Sequence, residues 1–170
     1  GAALKPGVRV GEHVTMDKLK KDHDAVFVAI GLGATRTLGI PGEDKAGVTD
    51  ALSFIEHLKS HPHNETPVGR RVVVVGAGNT AIDAATQAKR LGAEHVTIVY
   101  RRGPEDASAY DYEMELARKD GCEFRFLTVP KRVLGNGAVS GLECVRAELG
   151  AVGKDGKREF KEIAERYVDI

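Results

Sequence analysis

Tryptophan is absent from the chain and aromatic residues make up only 5% of its 170 residues, so a base-stacking nucleic-acid platform is not expected. Net charge of either sign is also missing. Lys and Arg number 25 and Asp and Glu number 25, which argues against a basic nucleic-acid binder and against an acidic tail protein. The two cysteines, Cys122 and Cys144, are too few for a four-Cys zinc site or a disulfide framework, and are expected as free thiols in a reducing compartment. No apolar run approaches the ~20 residues of a membrane span, and no basic-then-apolar leader opens the chain. The cytoplasm is therefore the expected location, with neither membrane nor nucleic acid as partner. What remains, 42% hydrophobic and 29% charged, is ordinary globular composition, with length enough for a real core. The Gly-Ala-Ala-Leu-Lys opening, without Met, and the strand-like Tyr167 to Ile170 close lead us to expect a piece of a longer polypeptide.

Along the chain, Thr15 is an expected N-cap for a short helix reaching Lys21. Asp24 to Ile30 is an almost unbroken apolar run of strand length, which suits a strand buried on both faces. Turn chemistry follows at Gly39, Pro41 and Gly42. Then Leu52, Ile55 and Leu58 recur at helical spacing behind Asp50, a candidate cap. After the polar, proline-bearing loop from His61 to Pro67, Arg70 to Val75 is a β-branched run. Gly76 to Ala81 is a glycine turn, Ile82 to Leu91 an alanine-rich helix stopped by Gly92, and His95 to Tyr100 a second strand. Together these make a βαβ unit. A helix over Asp111 to Asp120 and a strand over Cys122 to Leu127 continue the pattern. Past Pro130 the period changes to two, over Lys131 to Leu134 and Val139 to Leu149 around Gly135-Asn-Gly137, and a turn at Lys154 to Lys157 leads to a final segment. The expected fold class is α/β: a Rossmann-type parallel sheet with flanking helices and an antiparallel β addition.

Gly76-x-Gly78-x-x-Ala81 fits the G-x-G-x-x-G/A dinucleotide fingerprint and sits between a strand and a helix, the context the fingerprint requires. Gly76 allows the tight turn. Gly78 lets a pyrophosphate approach the backbone, and Ala81 lets the helix pack close. The helix start offers unpaired N–H groups, and Asn79 and Thr80 add side-chain donors beside Ala77. The alternative is a packing turn that binds nothing. At the end of the second strand, where an NAD site places a carboxylate for the ribose 2′-hydroxyl, the chain has Tyr100-Arg101-Arg102 and no acid before Glu105. Two guanidiniums there suit a 2′-phosphate, hence NADP(H). The missing acid also counts against an S-adenosylmethionine methyltransferase. Gly31-Leu-Gly33 is not a second fingerprint, because Arg36 stands at the small-residue position and Pro41 soon follows.

Other groups carry weaker signals. His57, His61 and His63 lack a metal-ligand spacing and are expected in a solvated loop. Asp83 is expected as a polar contact near the turn, and the cysteines as buried small hydrophobes. Tyr110 and Tyr112 suit either a lid or a surface helix start. No catalytic acid, base or nucleophile and no metal site is assigned. No Tyr-Lys or His-Asp pair stands at a convincing spacing for a dehydrogenase acting directly on a small substrate.

Four ordered segments carry a family resemblance: Asp24 to Gly31, Leu38-Gly-Ile-Pro-Gly-Glu43, Val72 to Ala84 with its glycine turn, and Tyr100-Arg-Arg102, supported by Phe124 to Leu134. Over about residues 8 to 150 the chain resembles the pyridine-nucleotide flavoproteins with two dinucleotide-binding domains. In particular it resembles the glutamate synthase small-subunit group, and it is similar to the electron-input part of dihydropyrimidine dehydrogenase. The resemblance implies NADPH bound by Gly76, Ala77, Gly78, Asn79, Thr80, Ala81, Arg101 and Arg102, with Gly31 near a crossover between two domains. It implies that residues 1–40 belong partly to an FAD-binding domain and 41–170 to the NAD(P)H-binding domain, with FAD in the parent protein. Hydride would pass from NADPH to FAD, and electrons onward to an iron–sulfur or glutamate synthase large-subunit partner. The Cys-x-x-Cys of thioredoxin reductases is absent from the slot Val48 to Phe54, which excludes dithiol exchange by that route. Cluster-ligating cysteines are absent too. The chain departs from its relatives in the loop after the Arg pair, where Glu105 and Asp106 put negative charge near the expected phosphate site. A nucleotide-binding or interaction module without redox activity is the alternative function.

Overall fold

The computed structural model describes the chain except for residues 32–34, 155, 157 and 170, and describes 164–169 by their backbone alone. The chain divides into two compact units, residues 1–34 and 35–170.

The first unit carries one short helix, α1 (Met16–Asp22), with the Thr15 hydroxyl accepting from the Lys18 N–H at 3.2 Å as expected of an N-cap. Asp24 to Ile30, expected as a buried strand, is not one. Among the described residues no strand pairs with it, and Phe27 and Ile30 are 92% and 88% exposed. An apolar, β-branched run still needs a neighbour to take its backbone hydrogen bonds, and composition cannot supply one. Of the Gly31-Leu-Gly33 string, Leu32 and Gly33 lie outside the described residues. Gly31 is described, with φ +73°.

The second unit begins with a turn over Leu38 to Glu43. The Glu43 carboxylate accepts from the N–H groups of Leu38, Gly39 and Ile40 at 2.6, 2.7 and 3.2 Å. Gly42 has φ +90°, and a Cβ there would lie 2.5 Å from the Val133 carbonyl oxygen, so only glycine fits. Helix α2 (Ala51–Ser60) follows, capped by Asp50, which accepts from Leu52 N and Ser53 N at 3.1 and 3.0 Å.

The central sheet consists of β1 (Arg71–Val75), β2 (His95–Val99) and β3 (Cys122–Arg125), parallel and in the order β1-β2-β3. Helix α3 (Asn79–Arg90) joins the first two strands, and α4 (Asp111–Lys119) comes between the second and third. The alternation along β1 shows why its valine run is continuous. Val72 and Val74 pack with the cluster built by Ile82, Ala85, Ala88, Val96, Ile98 and Met114, whereas Val73 and Val75 pack with Val99, Val133, Leu142 and Cys144. Both faces are covered, as a parallel sheet requires. Alanines at 81, 84, 85 and 88 give α3 its close approach to the sheet.

The second cover is an antiparallel sheet of β4 (Thr128–Leu134), β5 (Gly141–Val152) and β6 (Arg158–Asp169). It is larger than the sequence suggested. β4 starts at Thr128 and takes in Pro130, tolerated at a sheet edge where the register shifts between Pro130 and Arg132. The expected turn at Lys154 to Lys157 includes Asp155 and Lys157, which lie outside the described residues. Cys122 and Cys144 are both buried and not joined in a disulfide, and burial pushes the Cys122 thiol above its ordinary range. Among the described residues no helix is long and apolar enough to cross a membrane.

Candidate functional site

The end of β1 turns sharply into α3. Gly76 has φ +123°, where an L side chain is strained, and its N–H donates to Val99 O at 2.9 Å, tying the turn to β2. Gly78 is the N-cap, and its carbonyl accepts from Ala81 N and Ile82 N at 2.9 and 3.1 Å. The N–H groups of Asn79 and Thr80 precede those donors and lack an acceptor within the helix. A Cβ on Gly78 would stand 3.2 Å from the Ser108 hydroxyl, so bare backbone is what leaves room at the helix start. Ala81 is 9% exposed and its Cβ lies 3.5 Å from where one on Gly76 would be, so a small residue is needed there. The result is backbone bare of side chains at the positive end of a 12-residue helix, a suitable seat for a pyrophosphate.

The loop after β2 walls this turn. The buried Ala77 carbonyl accepts from Ser108 N and Ala109 N at 3.0 and 3.1 Å. Asn79 Oδ1 accepts from Tyr110 N at 3.2 Å, so the Asn79 side chain is engaged in holding the start of α4 as well as standing at the turn. Tyr110 and Tyr112 stack with ring centroids 5.6 Å apart and remain exposed.

Arg101 and Arg102 leave the carboxyl end of β2, Arg101 exposed and Arg102 half-buried. They are not a bare solvated pair. Their guanidinium carbons lie 5.0 and 5.8 Å from the centroid of the Phe160 ring, supplied by β6. Arg102 Nε donates to Arg158 O at 2.6 Å. The acids that follow are also engaged: Asp106 Oδ1 accepts from Arg158 N at 3.2 Å, and Glu105 pairs with the Arg158 guanidinium at 3.5 Å. Arg158, Phe160 and Ser108 were invisible to local sequence reading. Fifty-six residues separate Arg102 from Arg158, and no motif links them.

The fingerprint residues 76–81 and the Arg pair thus share the carboxyl edge of one parallel sheet, where ligands of such folds sit. Gly31, expected near the crossover between the two domains, lies in the first unit. Asp83 lies on α3 past its first turn. His57 and His61 stack on each other at 4.0 Å, and His63 opens a short 3-10 turn over His63–Glu65. Among the described residues no three His, Cys, Asp or Glu side chains converge on a point that could hold a metal ion.

The chain is 39% identical over 88% of its length to the NADPH-Fe(3+) oxidoreductase subunit beta of Geobacter sulfurreducens, covering 23% of that subunit. It is 38% identical over 96% of its length to the glutamate synthase [NADPH] small chain of Escherichia coli, covering 37% of it. The chain therefore spans well under half the length of these relatives. Its fold superposes on Mycobacterium tuberculosis FprA in complex with NADPH with a TM-score of 0.75 at 29% identity, over 95% of this chain and 51% of that one. The sequence profile of the pyridine nucleotide-disulphide oxidoreductases matches residues 5–162, and with the strand–glycine–helix turn in place the chain belongs to that family.

Proposed function

We propose that this chain is the NADPH-binding part of an FAD-dependent oxidoreductase that passes a hydride from NADPH to FAD. The observation that carries the reading is the cradle at the start of α3. Gly78 presents bare backbone before donors that have no partner in the helix, and the two arginines stand at the end of the neighbouring strand. The backbone N–H groups of Gly78, Asn79 and Thr80 receive the pyrophosphate, with Ala77 and Ala81 shaping the turn, and Arg101 and Arg102 receive the 2′-phosphate. The names of the relatives, and FprA holding NADPH, support the choice of nucleotide.

FAD, when bound, supplies a two-electron acceptor for the hydride leaving the nicotinamide. The described residues of this chain form no second glycine turn of the fingerprint kind that could seat the flavin's own pyrophosphate. The chain's own work is to bind and orient NADPH. Hydride transfer requires no protein acid or base, and none is assigned. Onward transfer to an iron–sulfur or glutamate synthase large-subunit partner, and association with an FAD-binding domain of the same polypeptide, belong to the same proposal. The cysteines at 122 and 144 are packed on strands and are not cluster ligands in it.

Calorimetric titration with NADPH and with NADH at low salt tests this. NADPH is expected to bind more tightly, and the Arg101→Ala/Arg102→Ala variant to lose about ten- to hundredfold in NADPH affinity with little change for NADH, as expected for lost charge-assisted bonds. Equal binding of both nucleotides by the unaltered chain overturns the assignment of the Arg pair. Binding of neither favours a packing turn.

A further inference from the structure

Five charged side chains meet where β2 ends. Arg101, Arg102, Glu105 and Asp106 come from one short stretch and sum to zero formal charge. A neutral rim is a poor seat for a dianionic phosphate. A free carboxylate at this strand end is also what a dinucleotide site uses to accept from the ribose 2′-hydroxyl of the unphosphorylated cofactor. By composition alone, then, the turn holds one feature that favours NADPH and one that favours NADH.

The tertiary structure adds the fifth charge from far along the chain. Arg158, the first residue of β6, donates its backbone N–H to Asp106 Oδ1 at 3.2 Å and places its guanidinium 3.5 Å from Glu105 Oε1. Its carbonyl accepts from Arg102 Nε at 2.6 Å. Two residues on, Phe160 lies beside both guanidiniums of the Arg pair. The start of β6 thus reaches all four charges of the turn, pairing with one oxygen of each acid and propping the bases, while Asp106 Oδ2 is buried without a partner. The pair of Arg158 and Glu105 is surface-exposed, at 44% and 54%, so it adds little to stability. Its effect falls on the local field.

We propose that Arg158 is a specificity-determining residue for the 2′-phosphate: by engaging Glu105 it withdraws the carboxylate from the nucleotide and leaves the rim with a net positive charge. Arg158 acts through Glu105 and is not itself assigned as a phosphate ligand. The inference rests on the reading of Arg101 and Arg102 as the phosphate-binding pair.

The test is a charge cycle read by calorimetry with NADPH and NADH at low salt, on the unaltered chain, Arg158→Ala, Glu105→Gln, the double variant Arg158→Ala/Glu105→Gln, and Arg101→Ala/Arg102→Ala. Arg158→Ala is expected to lower the NADPH-over-NADH affinity ratio about fivefold, the upper end of what an exposed charge contributes, with NADH bound equally or more tightly. The double variant is expected to return the ratio to within about twofold of the unaltered chain, and the difference to shrink at 0.5 M salt as screening requires. Glu105→Gln alone changes only an exposed side chain and is expected to raise the ratio, so the inference stays testable even where Arg158→Ala impairs folding. An unchanged ratio in Arg158→Ala, an equal loss for both nucleotides, no recovery in the double variant, or a lower ratio in Glu105→Gln each overturns it. Failure of the underlying reading looks different: the Arg101→Ala/Arg102→Ala variant then keeps the ratio of the unaltered chain, or the unaltered chain shows no preference for NADPH.

Discussion

Replacing Gly78 by alanine separates a binding cradle from a packing turn. Gly78 has φ −100° and ψ 168°, a conformation any residue adopts, so the backbone does not resist a side chain there. The added Cβ meets only the Ser108 hydroxyl, at 3.2 Å, a group that gives by rotation or a small shift. As an N-cap, alanine is worse than glycine by roughly 0.5–1 kcal/mol. The lower freedom of the unfolded chain returns about 0.4–1 kcal/mol. The net change is expected to stay within about 1 kcal/mol, a melting shift of about 4 °C at most for a chain of this size. Binding responds otherwise. In the proposed site the methyl group stands where the pyrophosphate would meet the backbone, and displacing one charge-assisted bond worth about 1.5–3 kcal/mol is expected to weaken NADPH binding about ten- to hundredfold. Gly76→Ala is the control. At φ +123° an L residue costs about 1–3 kcal/mol, so that variant loses stability as well as binding. Thermal melting followed by calorimetric titration reads both quantities. A Gly78→Ala chain that binds NADPH within twofold of the unaltered one, or that melts more than about 10 °C lower, refutes the reasoning.

Two further predictions concern the scaffold. The Asp50 carboxyl is held below the usual carboxylate range, first by its bond to Ser53 and then by Thr35 and the Leu52 N–H. A depressed folded value makes its contribution present above the unfolded value of about 3.9 and lost as pH falls through the folded one. Asp50→Ala is therefore expected to cost about 1 kcal/mol near neutral pH, with the deficit vanishing in strong acid. Asp50→Asn, still a good cap, is expected to show a smaller, flatter loss in urea titrations from pH 7 to pH 3. Ile98 is fully buried at the centre of β2. Ile98→Ala is expected to lower unfolding free energy by about 2–5 kcal/mol, and a loss under 1 kcal/mol in urea denaturation would show that β2 is not the structural centre.

Everything that depends on neighbours in the chain was legible in the residues. The caps at Thr15 and Asp50, the valine strand, the glycine turn and the alanine-rich helix are short-range matters of hydrogen bonding, φ and side-chain bulk. A sequence writes these out directly, and they are enough to establish an α/β unit with a dinucleotide fingerprint. Two things were not legible. Asp24 to Ile30 has strand composition, but strandness is a property of a pair, and no partner stands beside it among the described residues. The final segment was expected to be strand-like only at its Tyr167 to Ile170 close and had no expected partner, yet Arg158 to Asp169 is a strand because β5 lies alongside to take its hydrogen bonds. That pairing brings Arg158 and Phe160 to the Arg101-Arg102 turn and decides which charges there are free. Sequence alone determined that the chain has a glycine turn of the dinucleotide-fingerprint kind and two arginines at the next strand's end. Only the tertiary structure decided that the competing acids are already engaged, because charges more than fifty residues apart act on one another only after folding has closed the distance.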